Sequence, residues 1–223
     1  MSSPGSRELL SGHYTPNQGW LTRYLSQPLG GVFAYLAFRL GASPNAVTLT
    51  GLGVMLGACL ALDAATDPWR CLGAAVLFQL GFALDCADGQ LARATGRGSQ
   101  LGAWLDMACD HIRQLAIVLV LLRLAADNLP GVGAVLVFVF ACGVTVYLHT
   151  IMALRTPTAQ AADPQGGLVR RLSRNLLDTP IFLLLLAALR PWPGVLLLVC
   201  GVYGLAQLAR SVVLARARLG GAT

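Results

Sequence analysis

The sequence predicts an all-α membrane protein with six transmembrane helices, which an N-terminal interfacial amphipathic helix precedes. Two observations indicate this fold class. Of the 223 residues, 56% are hydrophobic and only 12% are charged, about half the charged fraction of a soluble domain. Apolar stretches of roughly 20 residues, the length that crosses a bilayer, recur along the chain. Turn-forming segments such as "DAATDPWR", "AADNLPG" and "RPWPG" separate them.

The first predicted element lies on the membrane surface. Residues 20–41 contain Trp20, two tyrosines and two arginines, a composition typical of an interfacial helix. Pro28 and a glycine pair predict a break within it. The "SPNAVT" segment that follows predicts the start of the first spanning helix, with Ser43 or Asn45 as its N-cap.

Six spanning helices are expected at about 46–65, 71–92, 101–124, 131–153, 175–190 and 194–215. The fifth is the shortest and contains Asp178, which we expect to cap the helix in preference to making a polar contact elsewhere. The chain therefore divides into three parts. These are a cytoplasmic N-terminus with its amphipathic helix (1–42), a six-helix domain (43–215) and a cytoplasmic tail (216–223).

Arginine placement predicts the orientation. All 16 lysine-or-arginine positions are arginine. With a cytoplasmic N-terminus, twelve of them fall at the inner face and only Arg70, Arg123 and Arg190 at the outer face. This positive-inside bias places both termini inside, in a multi-pass protein of the cell membrane. The arginines flank apolar segments and form no single solvated patch, which favours a lipid bilayer over nucleic acid as a partner.

Acidic residues concentrate in one short stretch. Four of the ten acidic residues are Asp85, Asp88, Asp106 and Asp110. The first two are three residues apart and the last two are four apart, so each pair shares a helix face. The short "ATGRGSQ" loop between them predicts that the two helices pack side by side. The four carboxylates would then converge at the cytoplasmic end.

Such a cluster needs compensating positive charge. A carboxylate at the bilayer centre costs about 2.5–3.5 kcal/mol on insertion scales, and Arg93 alone cannot balance four of them. Hard divalent cations can, because Mg²⁺ prefers carboxylates, waters and substrate phosphates, and paired ions suit phosphate chemistry. Gly89 and Gly102 leave room for a ligand beside the aspartates, and Arg93 is placed to hold a phosphate.

The spacing of these residues resembles the signature of the CDP-alcohol phosphotransferase family. The pattern Asp-x2-Asp-Gly-x2-Ala-Arg-x8-Gly-x3-Asp-x3-Asp is complete here, as Asp85, Asp88, Gly89, Ala92, Arg93, Gly102, Asp106 and Asp110. The "SPNAVT" segment is similar to the family's Pro-Asn/Asp-x-x-Thr element, and six spans after an interfacial helix resemble its architecture. The resemblance therefore covers most of the chain.

The resemblance implies an enzyme that moves a substituted phosphate group from a CDP-linked donor to an acceptor hydroxyl and releases CMP. It implies two Mg²⁺ or Mn²⁺ ions held by the four aspartates, with Asp110 also as the catalytic general base. The implied nucleotide contacts are Asn45, Thr48, Asp85, Gly89, Arg93 and Ser99. The implied partners are the donor, the acceptor alcohol and the bilayer, and family members are often homodimers.

The acceptor side is less specified. Candidate acceptor-binding residues are Arg113, Arg155, Arg171, Arg174 and Arg210. Plain positive-inside anchoring is the favoured alternative for the last four, whereas Arg113 is equally suited to counter the aspartates. We expect CDP-diacylglycerol as the donor, in phospholipid biosynthesis. A polar CDP-alcohol donor, inositol-type or specialised, is the alternative.

Other function classes also use buried carboxylates. An intramembrane aspartyl protease needs two aspartates that share a proton, and not four with a glycine and an arginine at fixed spacing. A cation-coupled transporter relays ions through buried acids, but it more often shows internal symmetry and helices broken at the bilayer midplane. CMP release from a CDP-linked donor with Mg²⁺ or Mn²⁺ distinguishes the enzyme from the transporter.

Overall fold

The structure is a computed structural model that describes Tyr14 and residues 18–153 and 175–219. Every regular element within these residues is helical, which confirms the all-α class. A π-helical turn, Thr22–Ser26, leads into the first α-helix. The α-helices are α1 (Gln27–Arg39), α2 (Pro44–Asp63), α3 (Pro68–Thr95), α4 (Gln100–Asn128), α5 (Val132–Ala153), α6 (Thr179–Ala188) and α7 (Pro193–Leu219).

Four of these helices are long and apolar enough to cross a membrane. They are α2, α3, Val132–Ile151 of α5 and Pro193–Arg216 of α7, each with at least the roughly 20 residues that a crossing needs. The chain is therefore a multi-pass membrane protein. α4 has 29 residues but carries several aspartates and two arginines, and α6 has only 10 residues, fewer than the predicted fifth span.

The N-terminal segment is continuously helical from residue 20 to residue 39, so the predicted break at Pro28 is wrong. Proline has no N–H to donate, and it lies here in the first turn of α1, where none is needed. The turn before it is widened, because the Gln27 N–H donates to the carbonyl of Thr22. Gly30 brings this helix close to α3, since a Cβ there would lie 2.9 Å from that of Cys86.

Asp178 ties the N-terminal segment to α6. It occupies the N-cap position of this helix, as predicted, but its side chain makes no capping hydrogen bond. The carboxylate instead accepts from the Thr22 N–H at 2.9 Å and from the Thr22 hydroxyl at 2.5 Å. Asp178 is only 6% exposed, and Gly19 passes so close that a Cβ would overlap its carboxylate. This contact fixes the segment beside α3 and α6.

Side chains from all six helices from α2 through α7 form the larger apolar core. Phe78 of α3, Leu121 of α4 and Leu197 of α7 are completely buried in it. α5 and α7 approach so closely that a Cβ on Gly143 would overlap the backbone of Gly204, and such small-residue contacts are the usual means by which membrane helices pack tightly. This packing holds in place the helices that carry the charged residues.

Charged residues lie at both ends of the helices. We call the N-termini of α2 and α4 with the C-terminus of α3 the site end, and the reverse ends of these helices the opposite end. At the opposite end, Arg123 donates to Asp63 at 2.7 Å. Arg70 donates to a carbonyl just after α2, and Arg190 donates to the carbonyls of Leu62 and Asp63. The three arginines that the sequence assigns to the outer face therefore gather around the C-terminus of α2.

Candidate active site

The loop between α3 and α4 is a tight turn with both helix ends capped. α3 ends at Gly96, whose φ of +63° favours glycine. The Arg97 N–H donates to the carbonyl of Ala92 at 3.0 Å and closes the helix end. Ser99 then caps α4, because its hydroxyl oxygen accepts from the Gly102 N–H at 2.9 Å. The turn fixes the backbone at the rim of the candidate site.

α3 and α4 diverge from this turn, so their predicted side-by-side packing is wrong. α2 packs against both helices, whereas α3 and α4 barely contact each other. Small residues line the gap. A Cβ on Gly102 would lie 3.2 Å from the Asn45 side-chain oxygen on α2, and the atoms nearest to a Cβ on Gly89 belong to Arg93 of its own helix. Space therefore remains between α3 and α4 at the site end.

A cavity of about 440 Å³ occupies this space. The N-termini of α2 and α4 both open into it. Helix N-termini carry partial positive charge and N–H groups without intrahelical partners, which attract anions. The cavity is therefore suited to a ligand that carries phosphate. Five of the six predicted nucleotide contacts line it, namely Asn45, Thr48, Gly89, Arg93 and Ser99.

Two of the four predicted metal ligands face this cavity. Asp88 of α3 is 7% exposed and accepts from the Thr48 hydroxyl at 2.5 Å. Asp106 lines the cavity from α4. The two carboxylates are close enough for their charges to interact. These carboxylates would repel a phosphate that the helix N-termini attract into the same cavity. A cation bound between the carboxylates and the phosphate would remove this repulsion.

The other two aspartates lie behind the cavity and share Arg113 of α4. The guanidinium donates from Nη2 to Oδ1 of Asp110 at 2.5 Å, and its Nη1 lies 3.6 Å from Oδ1 of Asp85. Asp85 and Arg113 also line a small second cavity. The Arg113 side chain is only 14% exposed. The sequence left Arg113 open between a counter-ion and an acceptor contact, and here it is a counter-ion.

The charge and donor chemistry of this cluster fit divalent cations. The charge of Asp85 interacts with those of the other three aspartates. Four carboxylates lie with three arginines, Arg93, Arg97 and Arg113, which leaves an excess of one negative charge. Carboxylate oxygens are the ligands that Mg²⁺ prefers. Within the described ranges, no three acidic, histidine or cysteine side chains stand ready to hold an ion, and three of the carboxylates instead contact Thr48 or Arg113.

Gly89 gives the Arg93 guanidinium its position. A Cβ on Gly89 would lie 3.1 Å from Nη1 of Arg93, so the side chain folds back along α3 over the glycine. In this position its charge interacts with that of Asp88. The glycine and the arginine of the signature therefore act together, and a larger side chain at 89 would displace the guanidinium from the cavity wall.

The predicted acceptor residues are only partly within the described chain. Arg155, Arg171 and Arg174 lie outside the described residues. The Arg210 guanidinium lies over the ring of Tyr147, 4.7 Å from its centre. Tyr203 interacts electrostatically with both Arg113 and Arg210, so these two arginines border the same region between α4 and α7.

Sequence reasoning missed one cationic residue of the cavity. Arg97 lines it from the α3–α4 turn, together with the glycines on either side. It falls outside the signature, and the "TGRGSQ" segment gave only the turn. A sequence signal for Arg97 does exist. It is a basic residue in a capped turn, and both helix ends beside this turn reach the predicted ligand site.

Comparisons with known proteins show which family the chain belongs to. A sequence model of the CDP-alcohol phosphatidyltransferase family matches residues 42–216. The phosphatidylinositol phosphate synthase of Mycolicibacterium smegmatis is 30% identical over 166 residues, which cover 71% of each chain. The synthase of the same name from Corynebacterium glutamicum is 38% identical over 84 residues, and this match spans only 37% of that protein.

A solved structure has the same fold. It is the phosphatidylinositol phosphate synthase of Mycobacterium tuberculosis with CDP-DAG bound, which superposes with a TM-score of 0.58 at 22% identity. The match covers 84% of this chain and 90% of that one. Because the family model spans residues 42–216 and a relative matches over most of its length, the chain belongs to the CDP-alcohol phosphatidyltransferase family and is a metal-dependent transferase of substituted phosphate groups.

Proposed function

We propose that the chain transfers a phosphatidyl group from CDP-diacylglycerol to a hydroxyl of an inositol phosphate and releases CMP, in phospholipid biosynthesis. The observation that carries this proposal is the cavity at the site end. Two helix N-termini, Arg93 and the carboxylates of Asp88 and Asp106 surround a space of about 440 Å³. The names of the relatives support the choice of substrates, since they are phosphatidylinositol phosphate synthases, and a structure of the same fold contains CDP-DAG.

The cavity binds the nucleotide half of the donor in this proposal. Its proposed contacts are Asn45, Thr48, Asp85, Gly89, Arg93 and Ser99. The guanidinium of Arg93 suits the diphosphate because its N–H groups match phosphate oxygens. The N–H groups at the starts of α2 and α4 add further donors. Asp85 lies behind the cavity, so its proposed contact is indirect, through the carboxylate cluster.

The four aspartates are the proposed ligands of two Mg²⁺ or Mn²⁺ ions. Asp88 and Asp106 face the cavity, and Asp85 and Asp110 each have a second carboxylate oxygen beyond the one that Arg113 contacts. When bound, the ions would neutralise the diphosphate and stabilise charge on the transferring group. A manganese-containing structure of the same fold supports this choice of metal.

The proposed transfer forms one P–O bond and breaks another. The acceptor hydroxyl oxygen attacks the phosphorus that bears the diacylglycerol, and the bond from this phosphorus to the oxygen bridging to CMP breaks. CMP leaves with the bonding electron pair. The hydroxyl proton passes to Oδ2 of Asp110, the proposed general base. Arg113 holds Oδ1 of the same carboxylate at 2.5 Å and so orients Oδ2.

The acceptor's own phosphate would be held by arginines. The proposed set is Arg113, Arg155, Arg171, Arg174 and Arg210. Arg113 and Arg210 border one region beside Tyr203, and guanidinium groups recognise phosphate in a bidentate manner. A phosphorylated acceptor would bring negative charge to this set of arginines, and the relatives are phosphatidylinositol phosphate synthases, which favours an inositol phosphate over inositol.

The proposed arrangement in the cell membrane has six crossings, with α4 and α6 as the two that composition alone does not identify. The site end and both termini face the cytoplasm, and α1 lies in the membrane surface. The proposed divisions are 1–42, 43–215 and 216–223, and a homodimer is part of the proposal. Exposed Trp20 and Tyr24 in the first helical segment support its interfacial placement.

A donor–acceptor matrix tests the function. The purified chain is incubated with CDP-diacylglycerol or a polar CDP-alcohol, and with inositol phosphate, inositol, glycerol phosphate or serine, in Mg²⁺ or Mn²⁺. CMP release and product mass are measured. We expect CMP and a phosphatidylinositol phosphate from the first donor and first acceptor. A different product mass would reassign the substrates, and no CMP release from any pair would overturn the enzymatic proposal in favour of a transporter.

A further inference from the structure

We propose that Arg97, which lies outside the family signature, binds the phosphate of the CMP half of the donor and keeps this contact with the CMP product. The inference rests on the proposed function, because it assigns a residue to the donor in the same cavity. It adds a second cation to the cavity wall beside Arg93.

The backbone of Arg97 is fixed at the rim of the cavity. Its N–H donates to the carbonyl of Ala92 at 3.0 Å, and Gly96 before it adopts a φ of +63°. This pairing of a left-handed glycine with a bond back into the last turn is a stable helix terminus. Arg97 is exposed and lines the cavity, so a ligand that fills the space lies next to this residue.

The two arginines of the wall have different partners. Arg93 folds back over Gly89, and its charge interacts with that of Asp88. The Arg97 guanidinium has no hydrogen bond or ion pair with any part of the chain that the structure describes. Arg93 is thus directed to the carboxylates, whereas Arg97, at the wall of the same cavity, keeps its donors for a ligand. A guanidinium in this position suits a phosphate, which accepts paired hydrogen bonds from it.

The distance of Arg97 from the carboxylates indicates which phosphate of the donor it contacts. Asp88 lies seven residues before Thr95, the last residue of α3, which is roughly 10 Å along the helix axis. Arg97 follows in the turn, so its backbone lies farther from Asp88 than that of Arg93 does. The phosphorus under attack must lie near Asp88, Asp106 and the proposed base Asp110. The next phosphate along the donor, which stays with cytidine, therefore lies on the Arg97 side.

The test separates a phosphate contact from other roles. CMP binding to the purified full-length chain is measured by calorimetry, alongside the donor KM, the acceptor KM and kcat. Arg97→Gln is expected to weaken CMP binding and to raise the donor KM about tenfold each, the scale of one charge-assisted hydrogen bond. The kcat and the acceptor KM are expected to stay unchanged. Arg97→Lys keeps the charge but loses the paired donors, and its CMP affinity is expected to lie between those of the unmodified chain and Arg97→Gln.

Controls define the failure of the proposal. Arg39→Gln, which removes an exposed arginine at the end of α1 that contacts Tyr35, is expected to bind CMP as the unmodified chain does. Unchanged CMP affinity in Arg97→Gln overturns the proposal, and so does an Arg97→Lys variant as weak as Arg97→Gln, because a phosphate contact responds to charge. If the unmodified chain binds CMP but turns over no donor, the proposed function fails while the Arg97 contact is still measurable by calorimetry.

Discussion

The two ends of the helical bundle carry charge in different ways. At the opposite end, two arginines each pair with one acid: Arg123 contacts Asp63 at 2.7 Å, and Arg70 contacts Asp67 at 3.2 Å. Both arginines are mostly exposed. Exposed pairs of this kind contribute about 1 kcal/mol or less. Their role is to anchor helix ends in water and lipid headgroups.

At the site end, acids outnumber bases. Four aspartates lie there with three arginines, and one of these, Arg113, is shared between two of the carboxylates. Nothing in the anchoring of a helix end requires such an excess, and burial makes it unfavourable. The contrast indicates that paired charge holds the fold in the membrane, whereas excess charge is kept for a ligand that brings the missing cations.

Removing the cations is the most severe test of this contrast. Treatment with a chelator is expected to lower CMP release by about a thousandfold or more, since bound metals supply several kcal/mol of transition-state stabilisation. Added Mn²⁺ or Mg²⁺ is expected to restore the rate. Circular dichroism of the chelated protein is expected to keep its helical signal, because the core joining α2 to α7 is apolar. Full turnover in a preparation shown by mass spectrometry to lack metal would contradict the interpretation of the charge excess.

Neutralising one acid at each end compares the ends directly. Asp106→Asn is expected to lower kcat by roughly a hundred- to a thousandfold, the loss typical of one preorganised electrostatic group. Asp63→Asn removes only the partner of exposed Arg123 and is expected to leave kcat within about twofold. Both rates are measured as CMP release. Similar losses of kcat in the two variants would mean that the excess negative charge at the site end does not contribute to catalysis.

The basic partners differ in the same way. Arg113→Gln leaves two partly buried carboxylates without their shared cation and is expected to destabilise the fold by about 3 kcal/mol. It is also expected to lower kcat by releasing Asp110. Arg123→Gln is expected to change stability by less than about 1 kcal/mol, because its side chain is 75% exposed. Thermal unfolding in detergent measures both. Added divalent cation is expected to recover part of the Arg113→Gln stability, and a variant as stable as the unmodified chain would show that the guanidinium is dispensable.

Local patterns predicted much of this structure from the sequence. Hydrophobic runs and turn residues predicted the helices, and Ser43 does cap α2, with its hydroxyl accepting from the Ala46 N–H at 3.2 Å. The spacing of the aspartates predicted a shared site, and the cavity brings Asp88 and Asp106 to one space. These predictions succeed because helix periodicity and capping depend on residues within one or two turns.

The missed features depend on residues far apart in the chain. The contact between Thr22 and Asp178 joins positions 156 residues apart, and no local pattern distinguishes it from a helix cap. The gap between α3 and α4 arises because α2 packs against both, so a short loop alone did not imply a tight hairpin. The contact of Arg113 with Asp85 crosses from α4 to α3, and it required the tertiary structure, as did the place of Arg97 at the cavity wall.

A single hydrogen bond gives the smallest and sharpest contrast. Thr48 donates to Asp88 at 2.5 Å, whereas Thr50, on the exposed side of the same helix, donates only to the carbonyl of Ala46 at 2.8 Å. Thr48→Val keeps the shape and removes the donor, so the carboxylate loses one stabilising contact. The expected loss in kcat/KM for the donor is about tenfold, the scale of a hydrogen bond to a charged group.

Thr50→Val is the matched control for this substitution, because it makes the same chemical change two residues away without touching an acid. It is expected to leave kcat/KM unchanged. Raising the Mn²⁺ concentration is expected to recover part of the Thr48→Val loss if the hydroxyl positions Asp88 for a cation, since a weaker site fills at higher metal. If the loss in Thr48→Val stays the same at every metal concentration, the hydroxyl contacts the nucleotide and does not position Asp88 for a cation. Asp88 would then be positioned by α3 alone.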